Sequence, residues 1–279
     1  MHDFPQLAKK LADSCYPTLS FRSFLMRNIT VMLALAAATL INATGAQAAT
    51  TNLVKNGDFE LTSNGTSKQL NEGTTVDARR TTLTDWTSKG YNFVLNASTI
   101  DSTKGDTALS LWGPKSYGGN DATSQNGLGT SPTGGNVLAA DWDYFAGPIS
   151  QQISGLVAGT AYTLSFSYGA AQQIGYAGAN PVNYWDVSLG SQTQQTASLS
   201  NASHGFTGWQ QASMTFTATS SSELLSFMAK GSPTGAPPFM LLDGVSLVSA
   251  VPEPSTWGML LGGLGLLAFM ARRRKAAAV

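Results

Sequence analysis

At 279 residues with 16 Lys and Arg against 16 Asp and Glu, the chain is formally neutral, and its one cysteine, Cys15, excludes an intrachain disulfide and a cysteine-ligated zinc site. The neutrality averages unlike parts. Residues 49–250 hold eight basic and thirteen acidic side chains, a net charge of −5, which argues against a nucleic-acid partner because phosphates demand a basic patch.

The N-terminal part contains Met26-Arg27-Asn28, an apolar stretch over 29–41 and Ala46-Gln47-Ala48. A positive start, an apolar middle and an A-x-A site make a secretory signal peptide over 26–48, cut by signal peptidase after Ala48. Residues 1–25 stand outside that pattern. They read as an extension preceding a true start at Met26, or as a long leading region that Lys9, Lys10 and Arg22 would suit.

Residues 49–250 suit one all-β domain with enough length to bury a core. Abundant Thr, Gly and aromatics with few charges favour sheet over helix. In chain order, strands are predicted at 93–95, 108–112 and 137–140, with a long polar loop over 115–135. Then come more regular runs at 160–168, 183–189, 212–218, 223–229 and 239–248. In the first of these Tyr162, Leu164, Phe166 and Tyr168 share one face, the period-two signature of a strand. Five such strands parted by Gly, Asn, Ser and Pro clusters suggest a sandwich. No repeat or heptad is present.

Four segments carry a resemblance: 52–60 (Asn-Leu-Val-Lys-Asn-Gly-Asp-Phe-Glu), 153–166, 209–218 and 241–247 (Leu-Leu-Asp-Gly-Val-Ser-Leu). In this order they resemble the landmarks of galactose-binding-like jelly rolls, which include several carbohydrate-binding modules. The resemblance implies adjacent first and last strands and a structural calcium held by Glu60 and Asp243, with Asn56 or Asp58 helping to complete the six to eight oxygens such an ion takes. The alternative is that Glu60 and Asp243 tie strand ends by hydrogen bonds. No other cofactor is expected.

Of the tryptophans, Trp86, Trp185 and Trp209 are expected in the core. Asp141-Trp142-Asp143-Tyr144 differs, because alternation in an extended segment puts the aromatics on one face and the carboxylates on the other. Trp142 and Tyr144, with Tyr117, are therefore the candidate sugar platform. A glycosidase pair drawn from Asp141 and Asp143 would lie about 7 Å apart on one strand with no sign of a cleft. His204 is the domain's single histidine and is read as a solvated turn residue. No G-x-S-x-G, P-loop, Rossmann or H-E-x-x-H pattern occurs. The chain is accordingly not expected to be an enzyme.

The last segment, 251–279, opens with Val251-Pro252-Glu253-Pro254-Ser255-Thr256, continues through an apolar run over 256–271 and ends in a basic cluster over 272–275. The run falls short of the about 20 residues that cross a bilayer, but the basic cluster behind it is what holds a span on the cytoplasmic side. Box, span and cluster together resemble the PEP-CTERM sorting signal, read on Val251, Pro252, Glu253 and Pro254 with Arg272, Arg273 and Arg274. The resemblance implies export in a Gram-negative bacterium, a transient inner-membrane anchor, processing by an exosortase and delivery to the cell surface or extracellular matrix. An ordinary single-span anchor is the alternative. The combined expectation is an all-β jelly-roll sandwich between a signal helix and a transmembrane helix, binding extracellular polysaccharide. The alternatives are a structural matrix protein without a ligand and a glycan-active hydrolase needing two opposed carboxylates.

Overall fold

Strand formation here follows the alternation of apolar side chains, and the places where alternation fails identify which sheet is covered on both faces. The computed structural model describes residues 51–73, 76–101, 109–114, 126–250 and 262–267. Two compact units divide the chain, one of them 50–254; of the other, residues 262–267 are described and are helical. Among the described residues no helix is long and apolar enough to cross a membrane. The predicted signal over 26–48, Tyr117, the Pro-Glu-Pro box and the arginine cluster lie outside the described residues.

Among the described residues the domain holds twelve strands: β1 (Lys68–Gln69), β2 (Thr87–Ser88), β3 (Asn92–Asn96), β4 (Asn136–Asp141), β5 (Ile149–Ser154), β6 (Ala161–Gln172), β7 (Asn180–Leu189), β8 (Gln192–Gln195), β9 (Leu199–Asn201), β10 (Gln210–Thr217), β11 (Ser222–Ser232) and β12 (Pro238–Ser249). They form two sheets, in the orders β1-β3-β4-β12-β6-β10 and β2-β5-β11-β7-β8, with β9 also paired to β7. All strand pairs are antiparallel. The all-β sandwich expected from the sequence is thus the observed architecture.

The second sheet is one-sided. Along β7, Asn183, Trp185, Val187 and Leu189 turn inward, while Tyr184, Asp186 and Ser188 face out and are less buried. Its interior centres on Phe227, whose ring meets Trp86, Phe166 and Trp185 at centroid distances of 6.3, 5.2 and 6.0 Å. Trp86 and Trp185 sit in this core, as the sequence suggests.

The first sheet is buried on both faces along β3, β4 and the first half of β12, while β10 keeps an exposed outer face. Val94, Leu138, Ala140, Met240 and Leu242 enter the inter-sheet core, whereas Phe93, Leu95, Val137, Ala139, Phe239 and Leu241 form a second core with Ile100, Leu111 and Leu128 from the segment connecting β3 to β4. This is why β4 reads as an unbroken apolar run: all six residues are buried. Trp209 packs at the margin of this outer core instead of opening a strand inside the sandwich. Of the strand predicted at 108–112, the described residues 109–112 form only a single bridge, from Leu111 to Gln173. β5, whose Ser and Gln conceal the alternating Ile149, Gln151 and Ile153, is a strand that the sequence pattern does not predict.

The 52–60 segment locks the end of β12. The Leu53 amide donates to the Leu247 carbonyl (2.9 Å), the Leu247 amide donates to Asn52 Oδ1 (2.9 Å), and the Val245 amide donates to the Gly57 carbonyl (2.9 Å). A Cβ at Gly57 would stand 2.1 Å from the Val245 carbonyl oxygen, so only glycine permits this approach. Buried Gln151 both accepts from the Lys55 amide and donates to its carbonyl, each at 2.8 Å.

The outer core generates a test. Phe239 is fully buried on a sheet face that an ordinary sandwich leaves to solvent. Phe239→Ala is expected to cost about 3–5 kcal/mol in urea unfolding, as for an interior phenylalanine; a loss below about 1 kcal/mol would mean that the face is uncovered in solution.

Candidate functional site

The β4 strand ends at Asp141, and its carboxylate sets the course of the chain beyond it. Asp141 Oδ1 accepts the backbone N–H groups of Asp143 (2.6 Å) and Tyr144 (3.0 Å), turning the chain away from the sheet. Trp142 and Tyr144 therefore do not share a face, and the platform expected from them is corrected. Trp142 is 7% exposed, donates its indole N–H to Asn183 Oδ1 (3.0 Å) and covers Gly231 so closely that a Cβ there would lie 2.2 Å from its ring. It is a core residue. Tyr144 is thrown outward and is 78% exposed.

Tyr144 is not isolated. Its ring meets Tyr91 edge-on at 5.5 Å, and Tyr91 in turn meets Phe93 at 4.6 Å and Phe239 at 6.3 Å, both in the outer core. The Tyr91 amide donates to the Phe145 carbonyl (2.7 Å). Gly90 and Gly147 let these two loops cross, since a Cβ on either would lie 2.5 Å or less from the other loop's backbone. Asp143 Oδ2 accepts the Gly235 N–H (2.6 Å), joining the 142–148 loop to that between β11 and β12. Tyr176, between β6 and β7, is 44% exposed, and its carbonyl is held by the Trp112 indole N–H (3.0 Å). The Tyr91 hydroxyl is pushed up by burial, with the charges of Asp141, Tyr144 and Tyr176 adding to the effect. Tyr91, Tyr144, Phe145 and Tyr176 thus form an aromatic rim at one end of the sandwich, rooted in the outer core. Such rings present apolar faces while tyrosine hydroxyls and loop backbone offer polar contacts.

Sequence reasoning finds Tyr144 but misses Tyr91, Phe145 and Tyr176. The available signal is Tyr176 within Gly175-Tyr176-Ala177-Gly178, an aromatic in a glycine turn with no alternating partner. His204 is likewise not a solvated residue: its ring stacks on Trp112 at 3.9 Å with an interplanar angle of 22°.

The carboxylates Asp141 and Asp143 do not face each other across a groove. Asp141 is 1% exposed, and burial, followed by the nearby charge of Asp143, raises its pKa against the lowering effect of the two N–H donors.

Asp243 and Glu60 lie around the turn where β12 bulges between Asp243 and Ser246. Asp243 is fully buried; Oδ2 accepts from the Ser131 and Thr133 hydroxyls and Oδ1 from the Gly244 N–H (2.6 Å). Burial raises its pKa, and Asp58 adds a like charge. Glu60 Oε1 accepts the Asn136 N–H. Asn56 is committed elsewhere: its amide group bonds Leu61 twice and the Thr84 carbonyl once. A recess of about 370 Å³ beside this turn is lined by Asn52, Asp58, Gly244 and Ser246 among others. Among the described residues, no three or more His, Cys, Asp or Glu side chains group as metal ligands.

Among known proteins, one family model matches a short segment of the chain, and several solved structures are similar to it at low identity. Residues 250–275 match the PEP-CTERM protein-sorting motif. No curated protein sequence matches the chain. Solved structures similar in fold include TmCBM61 in complex with β-1,4-galactotriose, at 14% identity over 71% of this chain and 99% of that one, with a TM-score of 0.38. The CBM22-1 xylan-binding domain from Paenibacillus barcinonensis Xyn10C is similar at 16% identity over 72% and 99%, TM-score 0.29. The enzymatically active domain of Bacteriophage CBA120 tailspike protein 4 is similar at 11% identity over 71% and 21%, TM-score 0.32.

Asp141 supplies a pH test. Because its folded pKa is raised, the stability it confers is fully present below the unfolded value of about 3.9 and is lost as pH rises through the folded value. Asp141→Asn keeps an oxygen for the two N–H donors and removes the ionisation. Chemical unfolding from pH 3 to 8 is expected to show a shallower stability decline for the variant; an unchanged slope would place the titration elsewhere.

Proposed function

We propose that this chain is an exported, exosortase-processed surface or matrix protein whose sandwich binds neutral carbohydrate, without catalysis, at the rim of Tyr91, Tyr144, Phe145 and Tyr176. The sorting half of the reading is supported by the motif over 250–275. The binding half is carried by one observation: Tyr144 is 78% exposed yet fixed through Tyr91 to the outer core. A large exposed aromatic held rigidly loses little conformational entropy on stacking against a sugar ring. Asp141 and Asp143 beside the rim favour an uncharged or hydroxyl-rich glycan over a polyanion. The natural ligand is then a polysaccharide of the extracellular matrix.

Glycan-array and calorimetric binding of the mature domain test this reading. Tyr144→Ala and Tyr176→Ala are each expected to weaken binding by about tenfold or more, corresponding to about 1.4 kcal/mol, with unfolding midpoints close to wild type. Binding that survives both changes would move the site elsewhere, and binding to no glycan would favour the ligand-free structural role.

We also propose a structural calcium ion at Asp243 and Glu60. Oxygen ligands are at hand in the two carboxylates and the Ser131 and Thr133 hydroxyls, although the Gly244 and Asn136 N–H groups each hold one carboxylate oxygen, and a buried carboxylate raised further by Asp58 is a charge arrangement that a divalent cation relieves. Ser131 and Thr133 hydroxyls and loop carbonyls would supply the remaining oxygens. Calcium at one hundred times its dissociation constant should stabilise the domain by about 2.7 kcal/mol, and Asp243→Asn should abolish that gain. A melting temperature indifferent to calcium and to chelator would leave the two carboxylates as hydrogen-bonded strand ties.

A further inference from the structure

β10 ends the first sheet: β6 pairs with one of its edges, and among the described residues no strand pairs with the other. The register with β6 runs without a bulge over all eight residues. In an antiparallel pair, alternate residues turn both backbone groups toward the partner strand or both away from it. Thr217 belongs to the second set, since its amide and its carbonyl both meet the Gln192 side chain, whereas the next amide, that of Ala218, donates to the Thr160 carbonyl beside β6. Gln211, Ser213 and Thr215 share the parity of Thr217, so their backbone groups also point outward along the open edge.

Part of this edge is already closed. Gln192 Nε2 donates to the Thr217 carbonyl, Gln192 Oε1 accepts the Thr217 N–H (3.2 Å), and Gln194 Nε2 donates to the Thr215 carbonyl (2.6 Å). Both glutamines stand on β8, at the end of the second sheet. Their side-chain amides do for the 215–217 end what a neighbouring strand would do, and they clasp the two sheets together at this margin. The outward groups of Gln211 and Ser213 and the Thr215 N–H lie beyond the clasp.

Natural sheets guard an open edge with charged side chains, proline or bulges. β10 has none of them. Residues 187–222, which contain β8, β9 and β10, include no Asp, Glu, Lys, Arg or Pro. Two copies of a domain with a net charge of −5 repel each other, but this margin brings no like charges together. The side chains of Gln211, Ser213 and Thr215 are exposed, polar and uncharged, so the edge complements itself and offers nothing to a charged partner.

We propose that β10 is a self-association edge, pairing antiparallel with β10 of a second copy about a two-fold axis at Ser213. Such an isologous contact sets the two Ser213 residues opposite each other and each Gln211 opposite a Thr215. The Ser213 residues exchange N–H···O=C bonds, and each Thr215 N–H reaches a Gln211 carbonyl, so main-chain bonds form while the clasp stays intact. The clasp in turn confines the pairing to 211–215, which keeps the contact short and reversible. Self-association does not depend on the aromatic rim. Under the carbohydrate reading a pair carries two rims, and bivalence strengthens attachment to a repeating polymer without any new contact to it.

Sedimentation equilibrium of the mature protein, purified from its producing cells, tests this. A reversible monomer–dimer equilibrium with a dissociation constant below about 1 mM is expected. Ser213→Lys and Ser213→Asp each set like charges opposite one another on the axis and are expected to weaken dimerisation by about tenfold or more. Mixing the two variants is expected to restore it as a mixed dimer, which misfolded chains could not form. Gln192→Ala combined with Gln194→Ala frees the Thr215 and Thr217 carbonyls and is expected to tighten dimerisation several-fold. A wild-type protein that stays monomeric at about 1 mM, a dimer indifferent to both Ser213 variants, or a mixture of them that stays monomeric would overturn the pairing. Unchanged dimerisation in the double glutamine variant would overturn the limit set by the clasp and leave the pairing in place.

Discussion

The structure depends on the burial of one strand. The first half of β12 is paired along both edges, to β4 and to β6, and covered on both faces, by the inter-sheet core on one side and by the β3–β4 connection on the other. Buried backbone must find hydrogen-bond partners, and on this strand the sheet and the 52–57 segment supply them. Because β12 is fixed so completely, its two ends become fixed points. One end carries the loops that build the aromatic rim, and the other is where the chain departs toward the sorting motif.

The rim illustrates how an exposed aromatic surface arises from fold constraints. Asp141 cannot continue the strand while its carboxylate holds the N–H groups of residues 143 and 144. The resulting turn buries one aromatic and exposes the next. Tyr91 then packs edge-on against the exposed ring and links it to Phe93 and Phe239. Without the outer core there would be nothing for Tyr91 to stand on. The segment that covers the first sheet thus also supports the rim.

Much of the fold is legible in the sequence. β6, β7, β10 and β11 alternate because each has one polar face over most of its length, whereas β12 alternates only in its second half, and the predicted limits of all five lie within a few residues of the observed ones. β5 is hidden because a buried glutamine, Gln151, occupies an inward position to serve the Lys55 backbone, so its pattern reads as polar. The site is legible only in part. Tyr144 is visible as an aromatic among carboxylates, but its partnership with Trp142 assumes a strand that Asp141 ends. Tyr91 and Tyr176 come from connections distant in sequence, and only the pairing of β3, β4, β6 and β12 brings them to one pole. The opening segment 52–60 stands out as a landmark, yet its work is structural at nearly every position: Asn52 holds Leu247, Asn56 fixes a turn, Gly57 permits close approach and Phe59 is fully buried.

The central claim is that the aromatic rim at the end of the β-sandwich where β12 begins is its glycan-binding surface. Backbone NMR of the mature domain, titrated with oligosaccharides released from the producing cell's own matrix, tests it most directly. The account predicts that shift changes concentrate on residues 90–91, 142–148 and 174–177 and spare the 155–160 loop. Changes centred instead on the outer face of β7 and β11, or none at saturating oligosaccharide, would contradict it.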